Sequence, residues 1–246
     1  MDILGIDVGG SGIKGALVNT ADGQLVTDRI RYKTPQPSTP KSVIKVIGKL
    51  VSDFDYAGPL GVGFPAVVMD GVVRSAANVD DKWIGYRGAS QITKATGCPV
   101  TMVNDADAAG IAEMHFGAGR GRNGIVLILT LGTGIGSALF INGRLVPNSE
   151  LGHLYLRGHK IDAEDFTSDR IRTSENLSWK KWARRLNDYF NHLEMLFSPN
   201  LFILGGGVSK NHSKFIPLLE INTEIVAAQL LNEAGIVGAA MAVEAS

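Results

Sequence analysis

This chain has almost no sulfur chemistry available to it. Cys98 is its one cysteine, which excludes an internal disulfide and any zinc site built from several thiolates. It follows an apolar, helix-like stretch and precedes Pro99, so a buried structural thiol is expected. Net charge is missing as well. The 24 Lys and Arg balance the 24 Asp and Glu, so no broad basic field serves nucleic acid or a membrane surface, and any anion site has to be a local patch. No apolar run approaches the length of a membrane span. The opening apolar stretch is broken by Asp2, Asp7 and several glycines, unlike a secretory leader. The cytoplasm is therefore the expected location. The remaining composition, with 45% hydrophobic and 20% charged residues, suits a chain long enough for one large domain or two smaller ones.

Glycine, by contrast, is plentiful, and one glycine-rich segment occurs twice. Gly10-Ser11-Gly12-Ile13-Lys14-Gly15-Ala16-Leu17 returns 122 residues later as Gly132-Thr133-Gly134-Ile135-Gly136-Ser137-Ala138-Leu139. A small hydroxyl residue between glycines lets backbone N–H groups close around an anion, because no Cβ blocks the approach. One such loop is a weak signal. Two copies half a chain apart indicate a duplicated pair of domains holding a phosphorylated ligand. At this offset Asp7 falls opposite Leu129 and Lys14 opposite Gly136, so only the first copy carries charged groups.

Around the two loops the pattern alternates strands and helices. Strands are expected at residues 3–6, 15–19, 24–32, 60–64, 100–103, 125–130 and 201–204. Pro35, Pro37 and Pro40 mark an extended loop. Helical periodicity covers residues 41–54, 89–96 and 105–114, a long amphipathic segment at 177–197, and a small-residue segment at 234–244. The class is α/β. No Pro/Ser-rich linker separates the halves, and a boundary is expected near the helix after Asp105.

Several residues have the right chemistry in the right places. Asp7, in an apolar strand beside the first loop, suits Mg²⁺ held directly or through water. Lys14 offers charge to a phosphate, with a solvent-facing strand lysine as the equal alternative. Asn104-Asp105 closes an apolar strand, where α/β proteins place ligand-binding groups. An Asp there accepts a proton from an attacking hydroxyl, although Asp105 or Asp107 capping the next helix is an equally weighted reading. Glu150 and His153 place a carboxylate and an imidazole three residues apart, a pair suited to vicinal sugar hydroxyls. A metal there would lack further ligands, and a capping Glu with a surface His is the bland alternative. Gly205-Gly206-Gly207 after a buried strand suits a nucleotide base or ribose, or simply a tight turn. Arg120 and Arg122, and Lys180, Lys181, Arg184 and Arg185, are the main basic clusters; a solvated helix face is the default for the second. Asn78 is uninformative by itself.

Taken together these segments resemble the ROK family of sugar kinases and repressors. The resemblance runs from Gly5-Ile6-Asp7-Val8-Gly9-Gly10 to Ala234-Gly235-Ile236-Val237-Gly238-Ala239-Ala240. Asn104-Asp105-Ala106-Asp107-Ala108-Ala109-Gly110 and Val146-Pro147-Asn148-Ser149-Glu150-Leu151-Gly152-His153 make it specific. With Thr34-Pro35-Gln36-Pro37 and Ala76-Ala77-Asn78-Val79-Asp80, it is most similar to the branch of the family that uses inorganic polyphosphate. The resemblance implies duplicated actin/hexokinase-like (ribonuclease H-like) domains with a central cleft. It divides the chain into a small domain, 1–107 with 235–246, and a larger one, 108–234.

The same resemblance implies phosphoryl transfer to the 6-hydroxyl of glucose with Mg²⁺, from polyphosphate in preference to ATP, by a homodimer. Asp105 then falls on the general base, and Asn78, Asn104, Glu150, His153 and Glu164 fall on sugar-binding positions. Spacing alone does not single out Glu164. Gly9, Gly10, Ser11, Gly12 and Lys14, with Gly132, Thr133 and Gly134, map onto two phosphate motifs, and Gly205, Gly206 and Gly207 onto an adenosine motif. Many members carry a Cys-rich zinc motif after the Glu-x-x-His segment. Here His159 and Lys160 lead to Ala163-Glu164 without cysteine, so no structural zinc is expected. A strictly ATP-dependent gluco/mannokinase is the alternative. A sugar-sensing repressor would need a helix-turn-helix before the strand that starts at Ile3.

Overall fold

Each glycine turn joins the first two strands of a five-stranded sheet, one sheet in each of the units into which the chain divides. The computed structural model describes residues 1–244. Its first unit comprises Met1–Ala112 with the stretch from Glu233 onward, and its second comprises Glu113–Asn232. Among the described residues no helix is long and apolar enough to cross a membrane.

The first unit begins with β1 (Asp2–Val8), β2 (Gly12–Asn19), β3 (Ile30–Lys33), α1 (Pro40–Asp53) and β4 (Leu60–Phe64). A small hairpin, β5 (Val68–Met69) and β6 (Val72–Val73), precedes α2 (Gly88–Thr96), β7 (Val100–Asn104) and α3 (Asp105–Phe116). Pro40 opens α1 rather than ending the loop before it, since its missing N–H is not needed in the first turn, and Thr39 caps it through the Ser42 N–H. The buried face of α1 is Val43, Ile44, Ile47, Leu50 and Val51, the set that helical spacing indicates. Only part of the strand expected at 24–32 forms. Thr27 Oγ1 accepts the Leu17 N–H at 3.1 Å, so a side chain replaces ladder pairing there and regular structure resumes at Ile30.

The second unit contains β8 (Ile125–Leu131), β9 (Ile135–Ile141), β10 (Arg144–Val146), α4 (Ala163–Thr167), α5 (Asp169–Ser174), α6 (Trp179–Phe197), β11 (Leu201–Gly205) and β12 (Glu224–Ala227). Sequence periodicity missed β10, β12, α4 and α5, which are too short to show a period. The long helix starts at Trp179, two residues later than expected, because the Ser178 side chain accepts the Lys181 N–H and caps it. Its buried face, Trp182, Leu186, Phe190 and Leu193, packs with Leu129, Phe202 and Leu204.

The two sheets share one strand order, β3-β2-β1-β4-β7 and β10-β9-β8-β11-β12. In both, the first two strands are antiparallel and the third and fourth pairings are parallel. The registers correct the equivalence read from the sequence. Val8 pairs Ile13 and Leu131 pairs Ile135, so the second loop is one residue shorter. The strand after the loop repeats at 122 residues, but the strand before it repeats at 123. Asp7 therefore corresponds to Thr130, not Leu129. Both are half-buried within otherwise buried runs, whereas Leu129 points into the core. Since strand side chains alternate, a one-residue slip exchanges faces.

The chain returns to the first unit as α7 (Ala234–Glu244). A Cβ on Gly5 would lie 2.1 Å from the Ile236 carbonyl oxygen, and one on Gly61 would lie 1.9 Å from that of Ala239. One on Gly238 would lie 1.6 Å from the Ala108 oxygen. Helix α7 thus rests on β1, β4 and α3 at backbone contact, which only its small residues and these glycines permit.

Candidate active site

In the first unit three carbonyls of the loop at residues 9–12 accept hydrogen bonds from within the protein. Gly9 N–H donates to the Gly12 carbonyl at 3.0 Å. Thr34 Oγ1 donates to the Gly9 carbonyl at 2.5 Å, and the Arg31 guanidinium donates to that of Ser11 at 2.9 Å. With three of its four backbone acceptors occupied, such a loop presents donors to an anion. Gly10 and Ser11 are exposed, and a Cβ on Gly12 would collide with the Arg31 guanidinium at 2.5 Å. Asp7 and Lys14 are cross-strand partners in the β1–β2 ladder. Their side chains form a partly buried ion pair at 3.0 Å. A Cβ on Gly235 would sit 2.9 Å from Asp7 Cγ, so the start of α7 lies directly against that carboxylate.

At the end of β7 the structure sorts out which residue caps α3. It is Asn104, whose Oδ1 accepts the Ala106 and Asp107 N–H groups at 2.8 and 3.1 Å. Its amide nitrogen donates to the Ala66 carbonyl at 3.2 Å. Asn104 is buried and both ends of its amide serve the protein. Asp105 is the first residue of α3 and half-buried, with Oδ1 accepting the Ala106 N–H at 2.8 Å. A Cβ on Gly63 would be 3.8 Å from Asp105 Cα. Asn78 is exposed, between β6 and a short 3₁₀ turn at Asp81–Trp83.

In the second unit the loop at residues 132–134 is built to the same plan with different parts. Gly132 N–H donates to the Gly134 carbonyl at 2.9 Å, and the Arg170 backbone N–H donates to that of Gly132 at 3.1 Å. Arg170 Nε donates to the Thr133 carbonyl at 3.0 Å, while its far end pairs with Asp165 at 2.8 Å. Ser11 and Thr133 are the repeated hydroxyl residues, and an arginine binds the carbonyl of each. Arg31 comes from β3 and Arg170 from α5, so no repeat in the sequence reveals the correspondence. Beside this loop, Gly205 pairs with Thr130. Gly206 has φ +82° and its Cβ would lie 2.4 Å from the Leu131 carbonyl oxygen, while Gly207 faces open space.

Glu150, His153 and Glu164 are also brought together in this unit. A 3₁₀ turn at Leu151–His153 presses on β9, where Gly152 is required because a Cβ would meet the Ile135 carbonyl oxygen at 2.5 Å. His153 Nε2 lies 3.9 Å from Glu150 Oε2. Its Nδ1 lies 3.0 Å from Asp162 Oδ2. Glu164 Oε2 accepts the Ile135 N–H at 2.7 Å, and a Cβ on Gly134 would strike that oxygen at 2.4 Å. The sugar-site glutamate suggested by resemblance therefore braces the second glycine loop. Burial raises the Glu150 carboxyl above its ordinary range, and Glu164 adds to this while His153 opposes it. The Asp162 hydrogen bond raises His153, against the effect of burial and with further help from Glu164 and Glu150.

The basic clusters divide. Arg185 is structural, donating to the Phe166 carbonyl and to Glu175 at 2.5 Å. Arg122 forms a bidentate pair with Glu224. Lys180, Lys181, Arg184 and Arg120 are exposed. Residues that sequence reasoning missed include Asp162, Arg31 and Arg170. Asp162 had one legible signal: an Asp three residues before Asp165, at the start of a helical turn, is a capping pattern.

Comparison with known proteins gives a consistent picture. The model of the ROK family matches residues 3–170. A polyphosphate glucokinase of Mycobacterium tuberculosis is 50% identical over 240 residues, which is 97% of this chain and 90% of that protein. The solved structure of an inorganic polyphosphate/ATP-glucomannokinase from Arthrobacter sp. strain KM matches with a TM-score of 0.93 at 48% identity, over 99% of this chain and 97% of that one. A ROK family glucokinase from Streptomyces griseus, in complex with glucose and AMPPNP, gives a TM-score of 0.83 at 26% identity over 98% of each chain.

Proposed function

This chain belongs to the ROK family, and from that premise we propose that it transfers the terminal phosphoryl group of inorganic polyphosphate to the 6-hydroxyl of glucose. ATP serves as a second donor. The observation that carries this reading is the 50% identity, across nearly the whole chain, to an enzyme that is a polyphosphate glucokinase. The built parts agree with it: two glycine loops whose carbonyls are engaged by hydrogen bonds within the protein, and a carboxylate–imidazole–carboxylate group of the kind that binds ring hydroxyls.

In this reading Asp105 accepts the proton of the 6-hydroxyl as its oxygen bonds to the terminal phosphorus. The bond from that phosphorus to the donor's bridging oxygen breaks, and the shortened donor leaves. Glu150, His153 and Glu164 bind ring hydroxyls, joined by Asn78. Asn104 acts mainly by fixing Asp105 at the head of α3. The loops at residues 9–12 and 132–134 bind donor phosphates through backbone N–H groups, and residues 205–207 seat the adenosine of ATP.

Asp7 fits Mg²⁺. A magnesium ion needs only one or two carboxylates when phosphate oxygens and water complete its shell. Asp7 offers one, with Lys14 on Oδ2, and among the described residues no group of three or more His, Cys, Asp or Glu side chains is arranged to hold a metal ion. Bound there, Mg²⁺ would neutralise charge on the transferring phosphate. The two units serve as the two domains of the enzyme, and we read it as cytoplasmic and homodimeric on the family pattern.

The likeness to a glucomannokinase favours mannose as a second acceptor. Glucose 6-phosphate formation, followed with Mg²⁺ while exchanging polyphosphate for ATP and glucose for mannose, tests the whole reading. Turnover with polyphosphate and glucose is expected, with loss on chelation. Turnover with ATP alone would overturn polyphosphate as the donor.

A further inference from the structure

The acceptor-sugar residues have a common support that neither the repeat nor the motifs indicate. Asp162 lies at the foot of α4, and its two carboxylate oxygens do different work. Oδ1 accepts the Asp165 N–H at 2.9 Å and caps the helix that carries Glu164. Oδ2 receives His153 Nδ1 at 3.0 Å. Backbone contacts reinforce the arrangement: Ala163 N–H donates to the Leu154 carbonyl at 2.8 Å, and Tyr155 and Asp162 form an isolated antiparallel bridge. The Asp162 side chain is only 20% exposed, whereas that of His153 is 48% exposed. The imidazole is thus held from its inner edge and open on its outer one.

A carboxylate accepts hydrogen bonds and does not donate them, so Nδ1 must carry the proton. This leaves Nε2, the nitrogen on the Glu150 side, as the group offered to a ligand. We propose that Asp162 is a positioning residue for the acceptor sugar, fixing the tautomer and direction of His153 and, through its cap on α4, the position of Glu164. The proposal rests on the sugar-kinase reading above. Asp162 touches no substrate. It acts on two groups that do, which makes it a single support for both sides of the hydroxyl-binding set.

The ionisable groups facing the imidazole are Asp162, Glu150 and Glu164, all acidic. They keep His153 protonated to higher pH than a free histidine. Neutral His153 accepts a hydroxyl proton at Nε2, and the protonated form donates from it, so the sugar's affinity should follow this ionisation.

Three proteins decide the matter: wild type, Asp162→Asn and Asp162→Ala, each assayed for glucose and polyphosphate parameters and each followed by NMR titration of His153. Asp162→Asn keeps a side-chain oxygen for the cap but loses the charge. It is expected to raise KM for glucose about tenfold, the scale of one charge-assisted hydrogen bond. The polyphosphate KM should stay within about twofold, and the His153 titration should move to lower pH. Asp162→Ala loses the cap too and should affect kcat as well. Unchanged glucose KM in both variants, or an unmoved His153 titration, would overturn the proposal while wild-type activity upheld the enzyme reading. A wild-type chain inactive on glucose would overturn both.

Discussion

Glu113 offers the sharpest test of the physical account. It is a carboxylate with 1% exposure in the last turn of α3, where the helix dipole disfavours negative charge. Four short contacts compensate. Oε1 accepts the Gln229 and Leu230 N–H groups at 2.9 and 2.7 Å, and Oε2 accepts those of Ala118 and Gln229 at 2.9 and 3.1 Å. Gly117 is obligatory beside it, because a Cβ would fall 2.1 Å from Oε2. One side chain therefore ties the end of α3 to the segment that leaves β12. Glu113→Ala removes the acceptor for three backbone donors that are partly shielded from water. At about 1 kcal/mol or somewhat more each, the loss is about 2–4 kcal/mol. Glu113→Gln keeps one oxygen for Gln229 and Leu230 but turns an NH₂ group toward Ala118, for a loss of about 1–2 kcal/mol. For a chain of this size these correspond to melting points lower by about 4–16 °C and about 2–8 °C. Urea unfolding followed by circular dichroism, with a parallel thermal scan, measures both. An alanine variant within about 0.5 kcal/mol of wild type would refute the clamp, and equal losses for Gln and Ala would show that the second oxygen contributes nothing.

Other expectations are as direct. Asp105→Asn should cut turnover by about 10²- to 10⁴-fold with unchanged circular dichroism, because the base is lost while Asn104 still caps the helix. Gly238→Ala places a methyl 1.6 Å from the Ala108 oxygen, and the forced separation of α7 from α3 should cost about 3 kcal/mol in urea unfolding. Replacing Lys180, Lys181 and Arg184 by Gln, with structural Arg185 left in place, should weaken long polyphosphate and leave the ATP parameters unchanged if that helix face guides the donor; equal effects on both donors would exclude it. His153 has a folded pKa raised from 6.5, so its protonation stabilises the folded chain fully below that value and the benefit is lost as pH rises through the folded one. The stability gap between wild type and Asp162→Asn should accordingly be larger near about pH 6 than near about pH 9, and a pH-independent gap would contradict the assigned pair.

Much of this molecule is legible without coordinates. The repeated Gly-Ser/Thr-Gly-Ile segments identify both loops. The apolar periods of residues 41–54 and 177–197 place α1 and α6 to within two residues, and Asn104-Asp105 marks the end of β7 and the start of α3. Legibility fails where elements are short or where side chains replace backbone pairing. Strands β10 and β12 have three and four residues, too few to display a period. Thr27 interrupts a strand that composition would extend.

The sequence by itself determined the α/β class, the duplication and the two glycine loops, because each depends on residue types at short or repeated spacing; the family and the candidate base followed from resemblance to known sugar kinases. Tertiary structure alone decided the rest. The one-residue difference between the loops, which makes Thr130 rather than Leu129 the equivalent of Asp7 in the second unit, exists only in the strand register. Arg31 and Arg170 bind equivalent carbonyls from unrelated elements, and Asp162 meets His153 across a loop rather than along a helix face. Glu113 reaches Gln229 and Leu230 over more than a hundred residues. Hydrogen bonds and ion pairs act over about 3 Å in space, and no regular interval along the chain encodes where such distances will close.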